Sequence, residues 1–163
     1  MAILELTPVC NFNCAFCYAR ISPEELKAKG IAIKRFDEWK RYIDEIAEMG
    51  CVELGLTGGE CTIHPDFCKI YEYAYDKGFV ISVFTNGSHI TDEIFKLFKN
   101  KPPMRIYITL YGNSPEVYEK VTGNAKYHDI VKAAVEKLIA NKLDVILQGT
   151  FSVDNVQDTE ALY

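Results

Sequence analysis

The stretch Ile3-Leu4-Glu5-Leu6-Thr7-Pro8-Val9-Cys10-Asn11-Phe12-Asn13-Cys14-Ala15-Phe16-Cys17 reads as a short strand running straight into a cysteine-bearing loop. Residues 3–7 are mostly apolar with little polar alternation, as expected of a strand buried on both faces of a parallel sheet. Three cysteines follow within eight residues, and no fourth lies nearby. The spacing brings three thiolates into one small volume. On an iron–sulfur cubane, three soft ligands would leave one iron without a protein ligand. An open iron can bind and activate a small molecule, whereas a fully ligated cluster mostly stores or passes electrons.

Working outward, similar apolar runs occur at residues 52–57, 80–85, 105–110 and 144–151. Helical patterns separate them. Ser22-Pro23-Glu24-Glu25 has the form of a capping box with proline at the first helical position. Phe36, Trp39, Ile43, Ile46 and Ala47 recur at helical spacing, and Gly50 follows as a stop. Pro65 is expected to open a helix bearing Phe67, Ile70, Tyr71 and Ala74. Thr91 is expected to cap one bearing Ile94, Leu97 and Phe98. Ser114-Pro115-Glu116 opens a brief helical turn, Ile130 to Ile139 carry the last complete amphipathic pattern, and Asp154-Asn155 is read as the start of one more. The order is β-α repeated, with right-handed crossovers expected. Sites in such folds collect in the loops after the C-terminal ends of the strands.

Composition narrows the class. The chain has 163 residues, 48% hydrophobic and 25% charged, ordinary for one domain with a real core. Eighteen basic against 23 acidic residues give a net charge of −5. With no basic stripe, nucleic-acid binding has little electrostatic support. No apolar run approaches the roughly 20 residues that span a bilayer. Residues 1–6 do not read as a signal peptide. Six cysteines in so apolar and regular a chain suggest a reduced, cytoplasmic setting with metal-binding thiolates.

Every informative motif falls after a strand. The cysteine loop follows the first. Its alternative reading is a zinc site completed by Cys51, Cys61, Cys68 or a histidine, although structural zinc usually uses paired two-residue spacings. Thr57-Gly58-Gly59-Glu60 follows the second strand. Its glycines let a ligand approach the backbone, its carbonyls can accept from an ammonium, and Glu60 adds negative charge; a plain tight turn has the same composition. Thr85-Asn86-Gly87 follows the third strand and Thr109-Leu110-Tyr111-Gly112 the fourth. Either could be turn chemistry alone, but they recur at one rim.

Cys10, Cys14, Phe16 and Cys17, followed by Gly58-Gly59-Glu60 and Thr85-Asn86-Gly87 in that order, resemble the radical S-adenosylmethionine enzymes over nearly the whole chain. The run from Ile108-Thr109-Leu110-Tyr111-Gly112 to Thr122-Gly123 is most similar to SPASM-type members, many of which modify peptides. The resemblance implies an α/β partial (βα) barrel of parallel strands, with five of the usual six βα units present. It implies a [4Fe-4S] cluster on Cys10, Cys14 and Cys17 whose open iron takes S-adenosylmethionine. One electron would then release methionine and a 5′-deoxyadenosyl radical that abstracts hydrogen. Phe16 would pack on adenine. Gly58, Gly59 and Glu60 would hold the methionine ammonium. Thr109 would face the ribose or carboxylate, with Asn86 close to the same group. A peptide or protein substrate and an electron donor such as flavodoxin or ferredoxin are implied as partners. The other readings are a radical enzyme acting on a small metabolite or nucleotide, a glycyl-radical activase, and a non-catalytic metal-binding scaffold. No residue is assigned to catalysis itself.

Cys61 stands where the family often has proline, and is read as a small apolar filler, as are Cys51 and Cys68. His64 is read as a helix-end hydrogen-bonding group, His89 and His128 as loop or surface residues. Tyr111 suits either the cavity or aromatic packing. Gln148 and Thr150, at the end of the fifth strand, are placed near the cofactor. The whole chain, 1–163, is read as one core domain truncated at its C-terminus, and the fifth strand is expected to carry an open edge.

Overall fold

Apolar strands alternating with amphipathic helices build a single parallel sheet. The structure is a computed structural model that describes residues 1–17, 21, 23–158 and 160. Its strands are β1 (Ala2–Glu5), β2 (Glu53–Thr57), β3 (Val80–Thr85), β4 (Arg105–Leu110) and β5 (Val145–Gly149). They lie side by side in sequence order, all pairs parallel. The helices are α1 (Pro23–Ala28), α2 (Phe36–Glu48), α3 (Phe67–Asp76), α4 (Asp92–Asn100), α5 (Pro115–Thr122) and α6 (Tyr127–Ala140). The expected capping role of Ser22 lies outside the described residues.

Period-two alternation divides the central strands between two environments. Leu54, Leu56, Ile81, Val83, Ile106 and Ile108 are all essentially fully buried. They share one core cluster with Ile43 of α2, Ile70 and Tyr71 of α3, and Phe98 of α4. Alternate positions place Gly55, Phe84 and Tyr107 on the other face, where the Phe84 and Tyr107 rings stack at 4.6 Å with 6° between planes. A Cβ on Gly55 would come to 3.2 Å from the Phe84 ring, so the missing side chain makes room for that stack.

Local chemistry sets the helix ends. Thr91 Oγ1 accepts from the Ile94 N–H at 3.3 Å. Ser114 Oγ accepts from Val117 at 3.4 Å, and Gly123 closes α5 in the left-handed region at φ 82°. α3 begins at Phe67, two residues beyond Pro65, because a 3₁₀ turn over Cys61–Ile63 comes first and Asp66 serves as N-cap. Asp66 is held there by Arg35, whose Nε lies 2.6 Å from its carboxylate, and by the Phe36 N–H at 3.2 Å.

One expectation needs correction, at both edges of the sheet. Neither β1 nor β5 is buried on both faces: Ile3 is 56%, Ile146 36% and Leu147 46% exposed, because both are edge strands with one neighbour. Asp154-Asn155 leads first into a 3₁₀ turn over Val156–Asp158, and Glu160 beyond it is helical, the residues on either side of it lying outside the described residues.

Candidate functional site

The loops after β1, β2 and β3 are sewn together by backbone and buried polar groups. Gly59 N–H donates to the Thr7 carbonyl at 2.7 Å, and Glu60 N–H to that of Val9 at 2.9 Å. A Cβ on Gly58 would overlap the Thr7 carbonyl oxygen, and one on Gly59 that of Val9. Gly58 also sits at φ 145°, where side chains are disfavoured. The glycine pair is therefore required by the crossing of two chain segments. Its remaining surface faces the cavity described next.

Eight of the nine site residues expected from sequence border one cavity of about 350 Å³: Cys10, Cys14, Cys17, Phe16, Gly58, Gly59, Asn86 and Thr109. Gln148, Thr150 and Tyr111 line it too, with Phe84 and Tyr107. No carboxylate or basic side chain is among the lining residues described. The wall offers hydroxyls, amides, backbone and aromatic surface, together with the three thiols.

Glu60 is the ninth, and lies behind this wall at 1% exposure. Its Oε1 accepts from Thr62 N at 3.0 Å, Thr62 Oγ1 at 2.6 Å and Thr85 Oγ1 at 2.7 Å, while Oε2 accepts from the Asn86 N–H at 2.6 Å. The carboxylate thus ties the β2 loop to the β3 loop. Four donors satisfy a charge that would otherwise be costly to bury.

The thiols are free of disulfides and differ in setting: Cys14 is buried, Cys10 half-buried and Cys17 exposed. Burial pushes the Cys10 thiol up, helped by the nearby Glu60 charge and opposed by the Phe12 N–H and the Asn86 amide. Burial likewise pushes Cys14 up to about 11, against a hydrogen bond from Tyr111. Burial first, then the neighbouring Cys14, raises the Tyr111 phenol well above its ordinary value. Thiols held neutral by burial become thiolates when a cation binds beside them.

The donor set fits an iron–sulfur cluster. Three soft thiols on one loop share one cavity wall. Among the described residues, no three His, Cys, Asp or Glu side chains converge on a single-ion site.

The other candidates have structural partners. Cys61 is fully buried, with Sγ 3.3 Å from the Phe84 carbonyl. His64 Nδ1 accepts from the Asp66 N–H at 3.0 Å, which leaves Nε2 to donate to the Lys34 carbonyl at 2.9 Å. Burial lowers the pKa of this imidazole. His128 packs edge-on against Tyr118. Sequence reasoning missed Asn155, a fully buried residue whose Nδ2 donates to the carbonyls of Tyr111 at 2.7 Å and Thr150 at 2.8 Å. No local pattern marks a residue whose partners lie on another loop.

Residues 4–162 match the model of the Radical SAM superfamily. The chain belongs to this superfamily, whose enzymes use a [4Fe-4S] cluster and S-adenosylmethionine. An S-adenosylmethionine-dependent nucleotide dehydratase of Selenomonas ruminantium is 37% identical over 136 residues, 73% of this chain and 47% of that protein. The subtilosin biosynthesis protein AlbA of Bacillus subtilis is 32% identical over 123 residues, 75% of this chain and 26% of that one. SuiB of Streptococcus suis shares the fold, with a TM-score of 0.66 at 13% identity over 93% of this chain and 40% of that one. The chain spans less than half the length of each of these proteins.

Proposed function

We propose that this chain is the cofactor-cleaving core of a radical enzyme that modifies a peptide or protein side chain. The observation that carries the reading is the single cavity at the C-terminal ends of the strands, bordered by the three thiols and by the Gly58–Gly59 backbone. Cys10, Cys14 and Cys17 would hold the [4Fe-4S] cluster. When bound, the cluster would supply the electron for reductive cleavage of S-adenosylmethionine to methionine and a 5′-deoxyadenosyl radical, the species that would take a hydrogen atom from the substrate.

The chain's own residues bind, orient and shield. The backbone of Gly58 and Gly59 presents acceptors to the methionine ammonium, and Glu60 holds that loop in register. Thr109 faces the ribose or carboxylate. Phe16 borders the cavity, its ring 6.2 Å from that of Tyr111, and packs on the adenine. Phe84 and Tyr107 floor the cavity with apolar surface, which limits quenching of a radical by water. A cytoplasmic donor such as flavodoxin or ferredoxin supplies the electron.

The peptide substrate is supported by the likeness to AlbA, a bacteriocin biosynthesis protein. A nucleotide substrate is the second reading, supported by the 37% identity to the nucleotide dehydratase. Incubating the reduced, reconstituted protein with S-adenosylmethionine and either short peptides or nucleoside triphosphates separates them. Release of 5′-deoxyadenosine that increases with peptide supports the first reading. An increase with nucleotide alone overturns it in favour of the second.

A further inference from the structure

The Cys10 sulfur already sits among donors. The Phe12 N–H points at it from 3.4 Å and the Asn86 Nδ2 from 3.7 Å. We propose that Asn86 is a positioning residue that donates its side-chain amide to the Cys10 sulfur, and so raises the reduction potential of the cluster held there. This rests on the reading of Cys10 as a cluster ligand.

The orientation of the Asn86 amide is over-determined. Its Oδ1 accepts from the Ser88 N–H at 2.9 Å and from Ser88 Oγ at 2.6 Å. A backbone N–H can only donate, so the oxygen must face Ser88 and the NH₂ must face the other way. There it meets the Asn11 Oδ1 at 3.0 Å and the Cys10 sulfur. Both amide hydrogens and both carbonyl lone pairs are used within the protein. Although Asn86 borders the cavity, its side chain has no hydrogen-bonding capacity left for a ligand there. Its backbone is pinned as well, by the 2.6 Å bond to the buried Glu60 carboxylate.

An N–H aimed at a ligating sulfur stabilises the more negative state of a cluster more than the less negative one. The step is a one-electron reduction by an external low-potential donor, with no bond made or broken in the protein. Losing the amide therefore disfavours the reduced state. The Phe12 N–H contributes in the same sense, but as backbone it survives side-chain substitution. Asn86 is the adjustable member of the pair.

The test compares reconstituted wild type with Asn86→Leu, which keeps bulk but has no donor, and with Asn86→Ala, which avoids overpacking. Iron and sulfide content, thermal unfolding, S-adenosylmethionine affinity and a dithionite redox titration followed by electron paramagnetic resonance are measured on each. The titration is run without S-adenosylmethionine. Expected are full clusters, unaltered cofactor affinity and, at a fixed potential, a reduced-to-oxidised ratio lower by about tenfold, or about 59 mV for one electron. An unchanged potential overturns the proposal. So does lost cofactor affinity at unchanged potential, which would assign Asn86 to the ligand. Folded variants that hold no cluster also overturn the tuning role, making Asn86 a requirement for assembly. Cys10→Ala separates the underlying reading: a cluster that persists unaltered in that variant means that Cys10 is not a ligand.

Discussion

Thr85 illustrates how single side chains hold this site. Its hydroxyl donates to Glu60 at 2.7 Å and accepts from the Gly87 N–H at 3.0 Å. Thr85→Val keeps the shape and removes both bonds, leaving buried polar groups short of partners. It should destabilise the protein by about 1–3 kcal/mol, read as a lower urea midpoint. Gly59→Ala should cost more than about 1 kcal/mol and lower cluster loading, because the new methyl meets the Val9 backbone. Away from the site, Lys77, Tyr73 and Lys40 hold the Asp44 carboxyl down to about 2 from 3.8. Since its folded pKa is depressed, its contribution is complete above about 3.8 and is lost as pH falls through about 2. The gap in urea midpoint between wild type and Asp44→Asn should therefore close across that window, and a gap independent of pH would contradict this.

The elements differ in how plainly the sequence declares them. Residues 80–85 and 105–110 were expected as strands, and β3 and β4 occupy those bounds. Both strands have a neighbour on each side, so tertiary structure demands the β-branched and aromatic residues that mark them. Residues 144–151 were read too long, since β5 ends at Gly149. Phe151 folds back so closely that its ring lies 2.7 Å from where a Gly149 Cβ would stand. Asn155 then accepts from the Ser152 N–H at 2.6 Å, closing a turn ahead of the 3₁₀ turn over Val156–Asp158. Side chain–backbone bonds of this kind compete with helix and favour turns, and sequence alone does not say which will win. The site divides similarly. Its cysteines and glycines were legible because metal ligation and chain crossings restrict residue type sharply. The bracing by Glu60, Asn86 and Asn155 was not, because it depends on partners up to 76 residues away. Asn155→Ala should raise the hydrogen-exchange rate of the Ser152 amide and loosen the backbone at Tyr111. Unaltered protection would argue against this clamp.

Across the whole molecule, β5 is one of the sheet's two edge strands. Ile146 and Leu147 face opposite sides of the sheet and both are exposed. An uncovered edge strand of this kind templates pairing with another chain. The 163-residue polypeptide should self-associate with rising concentration, and Leu147→Lys should reduce this in light scattering. At the rim formed by the C-terminal ends of the strands, three thiols, a glycine crossing and a carboxylate-braced asparagine border one cavity that reaches Gln148 of β5. Electron paramagnetic resonance of the anaerobically reconstituted, dithionite-reduced chain, recorded with and without S-adenosylmethionine, probes the vacant iron itself. The expected result is a reduced-cluster signal that changes shape when S-adenosylmethionine is added and disappears in Cys14→Ala. A signal indifferent to S-adenosylmethionine, or one that survives that substitution, would contradict a cluster held by Cys10, Cys14 and Cys17 with one iron left open.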